Sequence, residues 1–354
     1  MLETRADAER LATRWGIDAD DIVLIALNAC GLDADIGVSR LRFRLRLNSR
    51  PNDQLYMILS LGRRRSPFKL VDTKVLLGGE QVAVIDVAEA DDAVLGYWRN
   101  EGRVLTLNSN ARSACTGCVF CPNTLEEAND PRLALDDLNA YFSTLVDDRT
   151  GQGLSSVEKV TVCTGCFRFE QLALTHLRQV REAVTTHHCG GEIHFLSSVL
   201  TTPAGLAEAA AIGPFHLTLT AEAFTKRDLI LKESKAALTP TEMVRVLDDA
   251  VAAGIRTDFT YIIGLDPLEV AARHLTDFVE VTTTFPRFQV YQSHTPMMDV
   301  FLADGARDIE FYLAARREIE ELFGPTGLRP QPWENYRPLW YFSFADEPLT
   351  GTRI

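Results

Sequence analysis

Three cysteines fall within the seven residues of the segment CTGCVFC: Cys115, Cys118 and Cys121. Thiolates at such short intervals can hold one face of an iron–sulfur cluster, and bacterial ferredoxins use the same spacing. A ferredoxin supplies a fourth cysteine close by, but the next cysteine in this chain is Cys163. Three ligands on a four-iron cluster leave one iron open, and that iron can bind a substrate or a cofactor.

A structural zinc site is the alternative use of these cysteines. The first two cysteines of the segment, taken with Cys163 and Cys166, make two Cys-x-x-Cys pairs, which suit tetrahedral zinc. That arrangement leaves Cys121 without a role and does not require the aromatic Phe120 before it. The segment by itself therefore favours the iron–sulfur cluster over zinc.

Six strand-like segments alternate with helical patterns from about residue 102 onwards. The strands are RVLTLNS, VEKVTVC, EIHFLSS, FHLTLTA, TDFTYIIG and RFQVYQS, and the helices cover 133–147, 169–187, 203–211, 239–253 and 268–283. Such alternation predicts the α/β class, with a parallel sheet and crossover helices in a full or partial barrel. Chemistry in such barrels lies at the carboxyl ends of the strands, which is where the cysteine segment follows the first strand.

The segment and its position resemble the radical S-adenosylmethionine (radical SAM) superfamily, whose motif is Cys-x-x-x-Cys-x-aromatic-Cys. Phe120 stands at the aromatic position and the second spacing matches, while the first spacing is one residue shorter. The resemblance implies a TIM-like partial (β/α)6 barrel and a 4Fe–4S cluster held by the three cysteines. It also implies S-adenosylmethionine on the open iron, cleaved to a 5′-deoxyadenosyl radical that abstracts hydrogen from a substrate.

Later strand ends extend the resemblance over roughly residues 102–295. It implies cofactor contacts from Phe120 beside the cluster, Gly165 at the methionine, Ser197 and Ser198 at the ribose, Glu222 at the ribose or amino group, Lys226 or Arg227 at the carboxylate, and Ile262 and Gly264 at the adenine. No cysteine follows Cys189, so the auxiliary clusters of many peptide-modifying members are not expected.

Two further residues are candidates for catalysis, Cys166 and His294. Cys163 and Cys166 follow the second strand, where they could be passive buried thiols, hydrogen-atom donors to a substrate radical, or ligands of a second metal. His294 follows the sixth strand in YQSHTP, at the end of the barrel where substrate is expected. Tyr291 and Gln292 belong to the same candidate wall of the substrate site.

The N-terminal part is strand-rich over residues 40–100, with a hairpin predicted at Gly78–Gly79 and a helix over 3–15. In RLRFRLRLN the arginines at 40, 42, 44 and 46 share one face. That face is either solvated or holds a phosphate, carboxylate or acidic peptide, and Arg63, Arg64 and Arg65 would add to it. We predict an N-terminal module over 1–100, a barrel over 101–300, and over 301–354 a short C-terminal extension with a helix at 307–323 and an irregular aromatic tail.

Composition restricts the partners. The net charge of −13 disfavours nucleic acid, which is bound through phosphate neutralisation. No apolar run reaches the roughly 20 residues of a membrane span, and the charged N-terminus lacks a signal-peptide core, so we expect a cytoplasmic protein without a membrane partner. The expected partners are a small-molecule substrate of sugar, nucleoside or amino-acid type and an external flavodoxin- or ferredoxin-type electron donor. A peptide- or RNA-modifying radical SAM enzyme and a non-catalytic iron–sulfur or zinc protein are the alternatives.

Overall fold

The structure is a computed structural model, and it describes residues 2–90, 96–107, 118–120, 138–148, 153–163 and 167–354. Within these ranges the chain forms two large sheets and the helices that cover them. None of the helices in these ranges combines the length and apolar character needed to cross a membrane.

The N-terminal residues form two helices and an antiparallel five-stranded sheet. The strands run in the order β2-β1-β5-β4-β3. The elements are α1 (Arg5–Trp15), α2 (Ala19–Cys30), β1 (Arg40–Leu47), β2 (Arg50–Ser60), β3 (Phe68–Val71), β4 (Lys74–Leu77) and β5 (Glu80–Ala90). The helix predicted over 3–15 and the strand-rich region after it are confirmed.

Helix α2 was not predicted. It begins where the side chain of Asp18 accepts the N–H of Asp20, and its centre is a continuous apolar run. The residues from Ile22 to Leu27 are buried on every side of the helix, which is typical of a core helix rather than a surface one. Because such a helix lacks an amphipathic period, the pattern that revealed the other helices is missing.

The predicted hairpin at Gly78–Gly79 is confirmed between β4 and β5. Leu77 pairs with Glu80, and the two glycines have φ values of 61° and 88°. A two-residue turn with both φ values positive matches the twist of the strands and favours glycine. At Gly78 a Cβ would also lie 2.7 Å from the carbonyl oxygen of Glu3, so the chain N-terminus packs directly on this turn.

The arginine strand β1 alternates as predicted, with Phe43, Leu45 and Leu47 buried. Arg46 has a specific partner, since its Nη2 lies 2.6 Å from Oδ1 of Asp86. The guanidinium of Arg42 lies 5.9 Å from the ring centroid of Tyr97 in the large sheet. Two of the four arginines of this face, Arg42 and Arg46, therefore contact other side chains of the protein.

The large sheet contains seven strands in the order β12-β11-β10-β9-β8-β7-β6. The strands from β7 to β12 are parallel and follow one another in chain order, while β6 pairs with β7 antiparallel. The strands are β6 (Gly96–Arg99), β7 (Val104–Leu107), β8 (Lys159–Val162), β9 (Glu192–Ser197), β10 (Phe215–Glu222), β11 (Arg256–Ile263) and β12 (Arg287–Val290). The predicted α/β class and the six alternating strands are confirmed, and β6 is an addition.

Helices follow each of the parallel strands. They are α3 (Leu138–Asp148), α4 (Glu170–Thr186), α5 (Pro203–Ala210), the short α6 (Arg227–Ile230) and α7 (Glu233–Ala236), α8 (Pro240–Ala252), α9 (Leu268–Val279) and α10 (Ile309–Phe323). The apolar sides of the longer helices, such as α8 and α9, pack on one face of the sheet, where Phe259 of β11 contacts Phe278 of α9 at 4.7 Å between ring centroids.

The other face of the large sheet is polar along much of its length, and we call it the polar face. His194 bonds Thr161 through Nδ1 at 2.9 Å and Thr218 through Nε2 at 2.7 Å, which links three neighbouring strands. Successive side chains of a strand alternate between the two faces. The apolar residues that lie between these polar ones in each strand therefore point to the opposite face.

The aromatic tail was predicted to be irregular, and apart from the short pair β13 (Ser343–Phe344) and β14 (Glu347–Pro348) it has no further strand. Residues 333–337 connect the two edges of the large sheet. Arg99 of β6 donates to the carbonyl of Trp333, and the N–H of Val290 in β12 donates to the carbonyl of Arg337 at 2.8 Å. The bond at β12 pairs backbone with backbone and so covers part of that edge strand, whereas the contact at β6 is made by the Arg99 side chain.

Candidate active site at the carboxyl ends of the strands

Cys118 lies at the carboxyl ends of β10, β11 and β12. It is buried in a small apolar group that we call the strand-end core: Cys118, Ala223, Ile230, Leu231, Ile262, Leu265, Tyr291 and Met298, with Phe120 packed against it. The N–H of Val119 donates to the carbonyl of Ile230 at 3.0 Å. The segment that follows β7 is therefore anchored on the segment that follows β10.

The sulfur of Cys118 accepts the backbone N–H of Lys232 at 3.4 Å. Such N–H donors stabilise negative charge on a thiolate. The other cysteines of the segment, Cys115 and Cys121, lie outside the described residues, as do Gly165 and Cys166. Their assigned roles remain predictions.

Arg227 supports the segment that holds Cys118. It is buried, and its guanidinium donates to the carbonyls of Ala221 and Lys235, each at 2.7 Å, and to that of Ala223. Burial lowers the pKa of Arg227 to about 10. These bonds occupy both terminal nitrogens of the side chain that the resemblance assigns to a cofactor carboxylate, while its buried Nε has no partner among the described residues. The neighbouring Lys226 is exposed.

Glu222 ends β10 and has the positive φ of 65°. Its Oε1 lies 2.8 Å from Nζ of Lys235, and both side chains are largely buried. Glu222 is thus at the strand end, as predicted, and its charge is balanced within the protein.

The two serines after β9 separate onto different faces. Ser198 bonds Thr220 of β10 through the hydroxyls, on the polar face. Ser197 alternates with it and accepts the N–H of Val199 at 3.0 Å. Of the two predicted ribose contacts, Ser198 is the one that shares the polar face with Thr220.

Ile262 and Gly264 are placed around Tyr291. Ile262 packs in the strand-end core with Tyr291. Gly264 has a φ of 109°, and a Cβ there would lie 3.2 Å from Cβ of Tyr291 and 3.1 Å from the hydroxyl of Tyr312. The glycine is required by the turn and by this close approach, whatever its role toward adenine.

His294 is 8 % exposed, and neither ring nitrogen has a hydrogen-bond partner among the described residues. Burial, together with the positive charges of Arg337, Arg40 and Arg63, lowers its pKa to about 3. A buried imidazole without partners is costly, which marks this position as one where a ligand could contribute hydrogen bonds.

The remaining predicted wall residues divide between the site and the core. Tyr291 belongs to the strand-end core and donates its hydroxyl to the carbonyl of Met298 at 2.9 Å. Gln292 instead donates to the carbonyl of Asn28 in α2 at 3.0 Å. Cys163 directly follows β8, and its N–H donates to the carbonyl of Leu107 at 3.2 Å.

Sequence reasoning missed a buried charged network at the opposite ends of the strands. Asp258 pairs with Arg287 at 2.5 Å and accepts from Nε2 of His216 at 3.0 Å. Burial raises the pKa of Asp258, but Arg287 and His216 outweigh it and hold that pKa below its usual range. Glu334 of the tail extends the network to Lys159 at 2.9 Å. The only signal in the sequence is a polar residue at alternate positions of each strand.

This network also contains three possible metal ligands, since atoms of His194, His216 and Asp258 lie within 4.8 Å of one another. Arg287 already supplies the positive charge beside Asp258, and a cation there would be repelled. We therefore assign the three residues a structural role.

Similarity of this chain to known proteins is found at the level of structure. No protein-family model matches it, and no curated protein matches it. Among solved structures, it is similar to coproporphyrinogen III oxidase (HemN) from Escherichia coli, which is described as a radical SAM enzyme. That similarity has a TM-score of 0.41 at 13% sequence identity and covers 58% of this chain and 51% of the other, so the match spans about half the length of HemN.

Proposed function

We propose that this protein is a radical SAM enzyme that acts on a small molecule. The observation that carries the proposal is the position of Cys118, a buried thiol at the carboxyl ends of parallel strands that accepts a backbone N–H. The cysteine segment that contains it follows the first of six parallel strands in chain order. We infer that these strands and their helices make a partial (β/α)6 barrel within residues 101–300, between the 1–100 module and the 301–354 extension.

The residues around Cys118 suit an iron–sulfur cluster. Cluster ligands need deprotonated sulfur, N–H donors to that sulfur and partial exclusion of water. Cys118 has the N–H of Lys232, and the apolar side chains of Leu231 and Ile262 surround it. Cys115 and Cys121 would complete the set of three ligands. When bound, a reduced 4Fe–4S cluster supplies the electron that cleaves S-adenosylmethionine.

The chain's own residues would position the cofactor and exclude water. Glu222 with Lys235, and Ser198 with Thr220, present polar groups at adjacent strand ends where an amino acid and a ribose can bond. Ile262 offers an apolar surface beside them. Arg227 keeps the segment after β10 in place through its three carbonyl bonds.

The proposal can be tested by anaerobic reconstitution with iron and sulfide. We expect about four irons per chain and slow release of 5′-deoxyadenosine and methionine when a reductant and S-adenosylmethionine are added. The cysteine-to-alanine changes at 115, 118 and 121 should each abolish iron binding. Cys189→Ala is the matched control, because Cys189 is buried beside Val157, away from the strand-end core.

A zinc protein would behave differently in the same experiment. It would retain its metal in Cys121→Ala and lose it when Cys163 and Cys166 are both changed to alanine. That pair of results would replace the cluster assignment with a zinc site. Release of methylthioadenosine alone would show that a different bond of S-adenosylmethionine is cut.

A further inference from the structure

A large cavity lies between the N-terminal sheet and the segment that follows β12. Its volume is about 1240 Å³, more than the roughly 300–1,000 Å³ of typical small-molecule sites. The walls are the end of α2, the loop before β3, the β4–β5 turn with the chain N-terminus, and residues from 291 to 309.

The charge of this cavity is opposite in sign to that of the protein. Although the chain carries a net charge of −13, five basic side chains line the cavity against three acidic ones. The basic ones are Arg63, Arg64, Arg65, Lys69 and Arg307; the acidic ones are Glu3, Asp299 and Asp308. A positive concave surface on a negative protein concentrates anions at that surface.

Two of the acidic residues already have partners. Asp299 pairs with Arg63 at 2.9 Å, and Asp308 accepts the N–H of Glu310 at the start of α10. In contrast, Arg64, Arg65 and Lys69 have no carboxylate within 4.0 Å among the described residues. None of these three cations therefore forms an ion pair with a described side chain.

The cavity shares a wall with the candidate active site. Tyr291 lines the cavity and also packs in the strand-end core with Cys118. Ser293 lines it as well, and the adjacent His294 is the buried imidazole whose nitrogens lack partners. Arg63 acts on both, because it lines the cavity and its charge reaches His294.

The lining also has a large apolar part, which includes Leu2, Leu76, Leu302 and Ile309. A cavity that combines cations with such a surface suits an organic molecule that carries an anionic group on an apolar body. An inorganic ion would leave the apolar part of this volume without a partner.

We propose that this cavity binds a small organic anion, a phosphate ester or a carboxylate, through Arg64, Arg65 and Lys69. These side chains donate charge-assisted hydrogen bonds to the anionic group, which are stronger than bonds between neutral groups. The identification of this anion as the substrate of the neighbouring site rests on the proposed function. Binding of the anion in the cavity does not depend on that function.

The test is a ligand-observed NMR titration of the full-length protein with phenyl phosphate, phthalate and, as an uncharged probe of similar size, benzyl alcohol. Both anions should bind more tightly than benzyl alcohol and should weaken as salt is added. The probe that binds more tightly identifies the anionic group as phosphate or carboxylate.

A pair of triple variants with the same change in net charge locates the site. Arg64→Gln, Arg65→Gln and Lys69→Gln together should weaken anion binding about tenfold or more. Arg178→Gln, Arg245→Gln and Arg273→Gln lie on the helices α4, α8 and α9 and should change it less than about twofold. All six side chains are exposed, so both variants should fold.

Equal weakening by the two triple variants would show that only the overall charge matters, and that result would overturn the proposal. Failure of both anions to bind would do the same. The titration requires no iron and no S-adenosylmethionine, so its outcome is independent of whether the radical SAM assignment is right.

Discussion

The backbone N–H of Lys232 donates to the sulfur of Cys118 over 3.4 Å, across 114 positions of the sequence. Lys232 has φ −61° and ψ 151°, and it lies immediately before α7. These angles are the ones that proline prefers, and Leu231 before it has extended backbone angles that a following proline tolerates. A proline at this position therefore removes the hydrogen bond with allowed φ and ψ angles, and its Cδ takes the place of the N–H hydrogen beside the sulfur.

Lys232→Pro should lower the reduction potential of the reconstituted protein, because N–H bonds to cluster sulfur stabilise the more negative, reduced state. Lys232→Ala keeps the N–H and should keep the wild-type potential. A redox titration followed by electron paramagnetic resonance measures both. The same potential in the two variants would mean that this bond does not act on a cluster.

Arg227→Ala should destabilise the fold rather than only weaken cofactor binding. The change removes the guanidinium from the carbonyls of Ala221, Ala223 and Lys235. The first and last keep backbone N–H donors, so the carbonyl of Ala223 is the one left unpaired among the described residues, at about 1–3 kcal/mol. Urea unfolding measures the loss, and Lys226→Gln, at an exposed neighbour, is the control. Unchanged stability with weakened S-adenosylmethionine binding would instead support the carboxylate role.

Asp258→Asn should cost about 3 kcal/mol of unfolding free energy, because it removes the closer of the two carboxylates paired with the buried Arg287 and leaves only Glu334 at 3.3 Å. Asp249→Asn makes the same chemical change in the exposed pair with Arg245 and should cost less than about 1 kcal/mol. Chemical denaturation of the two variants gives the comparison. Similar losses at both positions would contradict a structural role for the buried network.

Gly264→Ala should destabilise the protein by more than about 1 kcal/mol. Its φ of 109° is unfavourable for alanine, and the new methyl group would press on Tyr291 and Tyr312. Gly324→Ala adds the same methyl group at an ordinary helical backbone position with open space around it. Thermal unfolding of the two variants should differ clearly, and a neutral Gly264→Ala would contradict the close approach.

Stability should fall below about pH 6.5 through His294. The unfolded histidine takes up a proton near its ordinary pKa of 6.5, whereas the folded one does so only near 3. The contribution is therefore complete above pH 6.5 and is lost as the pH falls toward 3, with about 2 kcal/mol gone at pH 5.

The check compares unfolding free energies at about pH 7.5 and about pH 5. His294→Gln should lose about 2 kcal/mol less than the wild type between these conditions. His188→Gln makes the same change at an exposed histidine and is the control. Burial lowers the pKa of His176 to about 4. Its effect on stability is the same in all three proteins, so it cancels in the comparison. An unchanged slope in His294→Gln would place its folded pKa near the ordinary value.

The sequence by itself determined the local features of this chain. Alternating periods of two and of about 3.6 residues identified each parallel strand and most helices, because periodicity reflects which face of a segment is buried. The order of the strands β7 to β12 followed, since successive strands joined by helices lie side by side in parallel. The turn at Gly78–Gly79 could also be predicted from the sequence, because its backbone angles favour glycine.

The tertiary structure alone decided which distant groups meet. Arg46 pairs with Asp86 and Arg63 with Asp299, while the two terminal nitrogens of Arg227 donate to backbone carbonyls. The irregular tail joins β6 to β12, a role that no pattern within residues 333–337 indicates. Charge and hydrogen-bond pairing depend on distance in space, and many carboxylates and carbonyls in the sequence are equivalent until the chain has folded.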